Sequence, residues 1–161
     1  MKLEGSCHCG AVRFSVTSRH PAPYQRCYCS ICRKCGGGGG FLINTLAEAE
    51  TLEVVGEQHV KVYRAAIERD GASVRSGHAR HFCGECGAHL WAQHDRWPAL
   101  LHPVAGAIDT ELPAPPAVVH MMTGSAASWA AVDVREGDAE FEAYPAQSIA
   151  AWHEAHGLAE D

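Results

Sequence analysis

The residues best placed to do chemistry in this chain are its eight cysteines, which fall into three tight groups. Cys7 and Cys9 form a C-x-C pair around His8. Cys27, Cys29 and Cys32 lie within one short segment, and Cys35 follows three residues later. Cys83 and Cys86 form a C-x-x-C pair, with Gly87 immediately after. Zinc in structural sites takes four ligands in a tetrahedron and favours thiolates. Spacings this short let a single turn aim two sulfurs at one point. Cys7 and Cys9 together with Cys83 and Cys86 therefore make a complete four-thiolate set, drawn from two distant parts of the chain.

The middle group has a different arithmetic. Cys27, Cys29 and Cys32 supply three thiolates, and three protein ligands leave a zinc position open for a further group, the pattern of a catalytic site. Metal coordination deprotonates a thiol, and the thiolate is the nucleophilic form. Such a site suits sulfur chemistry better than water activation, because three thiolates already bring negative charge to the ion. Spacing leaves two roles open for Cys35: a fourth ligand that closes the site, or a thiol beside it. A closed second site would make this a non-catalytic zinc-binding module, with two structural zinc sites, that docks on a protein partner.

The remaining composition narrows the function classes. The chain has 161 residues, 47% of them apolar, and a net charge of −6. That length can bury a core of its own, and we expect one domain over residues 1–161. The longest basic cluster is Arg33-Lys34, which argues against phosphate-driven nucleic-acid binding, although it offers local positive charge to an acidic small molecule. No run approaches the ~20 apolar residues of a membrane span. The N-terminal MKLEGSCHCG has no apolar signal core, so we expect a cytoplasmic protein whose cysteines are reduced metal ligands, not disulfides. Among the eleven histidines none sits in an H-E-x-x-H pattern. His8, His81 and His89 are expected at the surface or beside the ligands. His153 and His156 are expected on a partly solvated helix face, and Tyr28 and Trp129 in the core.

The elements that must position these groups are mostly short strands. Val12, Phe14 and Val16 alternate with Arg13 and Ser15, the period of a half-buried strand. Residues 17–26 read as a loop. Phe41–Ile43, Thr51–Val55, Val60–Tyr63 and Val118–Met122 read as extended. Asp70-Gly71 signals a hairpin turn that pairs Val60–Ile67 with Ser73–Phe82. Gly36–Gly40 reads as a flexible loop. One helix is expected near the C-terminus, after Pro145 and ending at Gly157, with Ile149 and Trp152 on its buried side.

Three stretches carry a family resemblance: G-S-C-H-C-G-A-V-R-F at 5–14, C-Y-C-S-I-C-R-K at 27–34 and H-F-C-G-E-C-G-A-H-L-W at 81–91. In that order they resemble the glutathione-dependent formaldehyde-activating enzyme family, which also includes centromere protein V. Weaker matches follow at Gly106–Asp109, His120 and Ser128-Trp129, so the likeness runs from Gly5 to about Pro145. It implies a mainly β fold, the β-tent, of short antiparallel strands pinned by zinc. It implies a structural zinc on Cys7, Cys9, Cys83 and Cys86. It also implies a second, catalytic zinc on Cys27, Cys29 and Cys32, whose open position takes the sulfur of glutathione. The implied activity is that of a carbon–sulfur lyase acting on glutathione and a small aldehyde, like S-hydroxymethylglutathione synthase. Cys35 and the five glycines after it depart from the family pattern, beside the proposed reaction site.

Overall fold

Alternating apolar residues and tight turns produce many short strands and few helices, and the computed structural model describes them over residues 1–158. In chain order the strands are β1 (Lys2–Ser6), β2 (Arg13–Thr17), β3 (Tyr24–Cys27), β4 (Leu42–Asn44), β5 (Ala47–Glu48), β6 (Glu53–Val55) and β7 (Val60–Tyr63). They continue as β8 (Ala66–Arg69), β9 (Ala72–Arg75), β10 (His78–Cys83), β11 (His89–His94), β12 (Leu100–Pro103), β13 (Val118–Met121) and β14 (Ala139–Phe141). The helices are α1 (Ser30–Gly36) and α2 (Ile149–Ala155). The protein is mainly β, as expected. No helix among the described residues is long and apolar enough to cross a membrane.

The chain divides into two compact units. The first comprises Met1–Arg19 and Leu46–Glu111. It holds a three-stranded sheet in the order β1-β2-β6 and a five-stranded sheet in the order β5-β12-β11-β10-β7. Strand β2 alternates as its sequence predicts, with Phe14 and Val16 buried between more exposed neighbours. The Phe14 ring meets Trp91 edge-on at 5.2 Å, amid buried Leu3, Val12, Leu90 and Leu101. The expected hairpin forms around Asp70 and Gly71. Both residues have positive φ, 52° and 75°, as a two-residue turn matched to strand twist requires. Its ladder pairs Ile67 with Val74, and further out Val62 with His81.

The second unit comprises His20–Thr45 and Leu112–Asp161, described as far as residue 158. Its sheet runs β14-β13-β3-β4. Strand β13 lies parallel to both β3 and β14, which adds two parallel pairs to the antiparallel ones. The expected loop over 17–26 holds only over residues 18–23, since Thr17 still pairs in β2. Tyr24–Cys27 is a strand because β13 and β4 pair with its two edges, and those partners are invisible to a local pattern. Helix α2 lies where its signals put it. Ser148 caps it by accepting the Ala151 N–H at 3.1 Å, and Trp152 is buried against Ala22, Ala117 and Val119.

Candidate metal centres

The first cysteine group is assembled by two turns of the first unit. Strand β1 leads into Cys7, and the chain turns back so that the Cys7 N–H donates to the Val12 carbonyl at 3.0 Å. Strand β10 ends at Cys83, and the Cys83 N–H donates to the Ala88 carbonyl at 2.9 Å across the second turn. The sulfurs of Cys7, Cys9, Cys83 and Cys86 all lie within 4.8 Å of one another. Cys7 Sγ is 3.5 Å from Cys9 Sγ, which is 3.7 Å from Cys83 Sγ. Four sulfurs at about 2.3 Å from a tetrahedral zinc are about 3.8 Å apart, so the spacing fits that ion.

Backbone amides complete this set. The Val12 N–H donates to Cys7 Sγ at 3.2 Å. The Ala88 amide pulls the Cys86 thiol down to about 6. The Ala11 amide pulls Cys9 the same way, yet the Cys7 sulfur and loss of solvent outweigh it and push Cys9 up to about 12. Sulfurs packed this closely cannot all ionise by themselves, and a dication removes the conflict.

The second group sits at a strand-to-helix corner of the second unit. Cys27 is the last residue of β3. Cys29 is the N-cap of α1, and its sulfur accepts the Cys32 N–H at 3.3 Å. Cap and third helical position are neighbours in any helix start, so C-S-I-C places Cys29 and Cys32 together. The sulfurs of Cys27, Cys29 and Cys32 lie within 4.8 Å of one another. The side chains of Cys27 and Cys32 lower the Cys29 thiol to about 2, while Cys29 and Cys32, with burial, push Cys27 up.

Cys35 is outside this group. Among the described residues no further cysteine, histidine, aspartate or glutamate joins the three. None of the eight cysteines is in a disulfide. Both sets suit zinc by donor type and spacing.

Arg33 and the glycine run follow Cys32 in the same unit. The Arg33 guanidinium lies 6.0 Å from the ring of Trp129, and its Nε is buried without a hydrogen-bond partner. Trp129 is 63% exposed and not in the core, because it caps a surface turn instead of an element. Gly40 has φ 93° and no room for a side chain, since a Cβ there would come within 2.3 Å of Ala130. The glycine run therefore packs closely at its last residue. Tyr28 and His120 are fully buried. The Tyr28 hydroxyl lies 3.0 Å from His120 Nδ1, and His120 Nε2 lies 3.3 Å from Asp138. Sequence reasoning left this trio unassembled, because ninety-two residues separate Tyr28 from His120.

The histidines behave mostly as structural groups. His8 is exposed. His153 hydrogen-bonds the Ala22 carbonyl at 2.7 Å, and His156 stacks on Trp152 at 3.9 Å. His81 stacks on Trp91. His89 is the departure: it is 7% exposed, and neither ring nitrogen has a hydrogen-bond partner. Burial, with Arg80 nearby, pushes its pKa down to about 4. The strand pairing of β11, buried along most of its length, carries this residue inside.

This is a mainly β protein with one four-sulfur and one three-sulfur set, each of which could hold a metal ion, and its relatives give the family. A sequence profile described as glutathione-dependent formaldehyde-activating enzyme matches residues 2–125, and the chain belongs to that family. A Halomonas elongata protein named "Putative glutathione-dependent formaldehyde-activating enzyme" is 51% identical over 160 residues, covering 99% of each chain. A crystal structure of a Rhodobacter sphaeroides protein is 26% identical. It aligns with a TM-score of 0.50 over 70% of this chain and 92% of its own.

Proposed function

We propose that this protein is a zinc-dependent carbon–sulfur lyase that joins glutathione, or a related small thiol, to a small aldehyde such as formaldehyde, and reverses that step. The observation that carries this reading is the three-sulfur group of Cys27, Cys29 and Cys32, with no fourth cysteine, histidine or carboxylate in it among the described residues. Family membership and the Halomonas relative's name support glutathione and an aldehyde as reactants. The alternative of a closed, non-catalytic module needs a fourth ligand from this chain, and Cys35 is not in the group.

In this reading Cys7, Cys9, Cys83 and Cys86 hold a structural zinc, and Cys27, Cys29 and Cys32 hold a second. Bound there, the second zinc would lower the pKa of a substrate thiol and keep it as thiolate. The reaction forms one carbon–sulfur bond and opens the carbonyl double bond. The proton lost by the thiol ends on the former carbonyl oxygen. The part of the chain is to bind and orient. The cysteines would set where the substrate sulfur sits, and Arg33, next to Cys32 in the chain, would supply a cation for a carboxylate of an acidic thiol. Holding sulfur and carbonyl carbon together is itself a large share of such catalysis. We place the protein in a compartment that keeps thiols reduced, as cytoplasm does.

The test is spectroscopic. Cobalt-substituted protein has a thiolate-to-cobalt absorption, and we expect added glutathione to change it for the three-sulfur site. Protein carrying C29S, which retains only the four-sulfur set, should show no response. An unchanged spectrum in the unaltered protein at saturating glutathione would sink the glutathione reading.

A further inference from the structure

The buried trio behind the three sulfurs is a polar network in a place where apolar packing would fill the space as well. Tyr28 and His120 have no exposed surface, and the Asp138 side chain is 8% exposed. Burying a hydroxyl, an imidazole and a carboxylate is costly unless each is satisfied. Here each is. Asp138 accepts the Val118 N–H at 2.7 Å and the Arg135 N–H at 3.1 Å, besides its contact with His120 Nε2. A proton on Nε2, facing the carboxylate, leaves Nδ1 to accept the Tyr28 O–H. The hydrogen bonds thus run in one direction, from Tyr28 through His120 to Asp138, and they assign the tautomer.

Tyr28 sits at a critical point of the backbone. The ladders of β3 with β13 and with β4 both end at Cys27, and α1 is capped by Cys29. Tyr28 alone lies between them. Cys29 is extended, with φ −61° and ψ 152°, so Cys27 and Cys29 project to one side and Tyr28 to the other. Its N–H donates to the Met121 carbonyl at 3.0 Å, next to His120 on β13. Its ring packs at 5.2 Å on Phe41. Whatever holds the Tyr28 side chain therefore sets how far apart Cys27 and Cys29 stand.

We propose that Tyr28, His120 and Asp138 form a positioning relay, anchored on β13 and the turn before β14, that fixes the corner bearing Cys27 and Cys29 and so tunes the metal affinity of the three-sulfur site. The inference rests on that site holding a metal. None of the three is a catalytic residue; they act through the cysteines. Outer partners that orient ligands are worth about 10–100-fold in metal affinity.

The experiment is chelator competition on cobalt-loaded full-length protein. Y28F keeps the ring and its packing and removes only the hydroxyl. D138N removes the relay's anchor charge. C29S protein supplies the spectrum of the four-sulfur site alone, so that the two sites are read separately. We expect Y28F to weaken cobalt binding at the three-sulfur site about tenfold and to shift its ligand-field bands, with the four-sulfur site unchanged. D138N should act in the same direction. The Y28F/D138N double variant should be no weaker than the worse single variant, because both cut one chain of hydrogen bonds.

Unchanged second-site affinity in Y28F and D138N overturns the proposal. So does an equal loss at both sites, which marks a merely structural role, and so do effects that multiply in the double variant. If the unaltered protein takes up a single cobalt, the zinc reading of Cys27, Cys29 and Cys32 fails by itself. The relay is then judged on the alkylation rates of Cys27 and Cys29, which Y28F must change about tenfold to keep it.

Discussion

The two cysteine sites are built in opposite ways. The four-sulfur site joins two turns whose cysteines stand 74 residues apart, from Cys9 to Cys83. The three-sulfur site uses one contiguous segment, at the end of β3 and the start of α1. A cross-link between distant segments removes much more chain entropy from the unfolded state than one within a short segment. Burial does not separate the two sets, since Cys9 and Cys86 are exposed while Cys27 and Cys32 are buried and Cys29 is partly so. On the proposed reading, the first site would stabilise its unit and the second would present an ion to a ligand at little cost to the fold. Sulfur count points the same way, since four thiolates close a tetrahedron and three leave one vertex.

The comparison breaks most readily at the first site. C83S removes a buried ligand of the long-range cross-link, and we expect a loss of more than about 4 kcal/mol, in the range reached when a structural metal is lost. Urea denaturation of zinc-loaded protein measures it. A loss below about 1 kcal/mol would show that the four-sulfur site is not what holds the first unit.

At the second site the expected pattern is reversed. C29S should remove one bound metal ion and cost several kcal/mol of transition-state stabilisation, on the order of a hundredfold or more in rate, with little change in melting temperature. Nuclear magnetic resonance exchange between formaldehyde and glutathione gives the rate, and metal analysis gives the count. Unchanged exchange with one ion lost would detach the chemistry from this site.

How much of this the residues disclose depends on the range of the contacts involved. The cysteine groups are short, local patterns, so both could be picked out from spacing, with only the role of Cys35 left open, as could the Asp70-Gly71 hairpin and the position of α2 between Pro145 and Gly157. The edges of β3 could not, because its partners β13 and β4 come from elsewhere in the chain. Helix α1 is seven residues long and is capped by a cysteine, Cys29, which is not a usual cap, so no helical signal marks it. His89 reads as a surface residue or a neighbour of the ligands until β11 is seen to be buried over its first four residues. The Tyr28–His120–Asp138 trio needs the parallel pairing of β3 and β13 before its members meet.

His89 separates the two regions by their response to acid. Its pKa falls from an ordinary 6.5 to about 4 because burial disfavours the charged ring. Between those values the unfolded chain takes up a proton that the folded chain refuses, so stability is full above 6.5 and declines as pH falls toward 4. From pH 7 to pH 5 the decline due to this one group is about 2 kcal/mol. H89L should lack that portion, and it also removes two unsatisfied nitrogens, so it should be no less stable at pH 7. Denaturation of both proteins in the same metal state cancels any loss of metal. Equal pH slopes would mean that His89 is satisfied by a group it reaches in solution.

Cys35 gives the smallest expected effect and the sharpest reading of the second site. It stands three residues after Cys32 on α1, a spacing as good as any other ligand pair in the chain, yet its sulfur is not in the three-sulfur group. If the site is open, C35S leaves both metal ions in place, leaves the glutathione response of the cobalt spectrum intact, and changes stability by no more than about 0.5 kcal/mol. If Cys35 swings in to close the tetrahedron once metal is bound, C35S instead opens a vertex. The second site then loosens its metal, and glutathione gains a response that the unaltered protein lacks. Metal content and cobalt spectra of this single variant thus distinguish a site built for a substrate sulfur from one built to hold still.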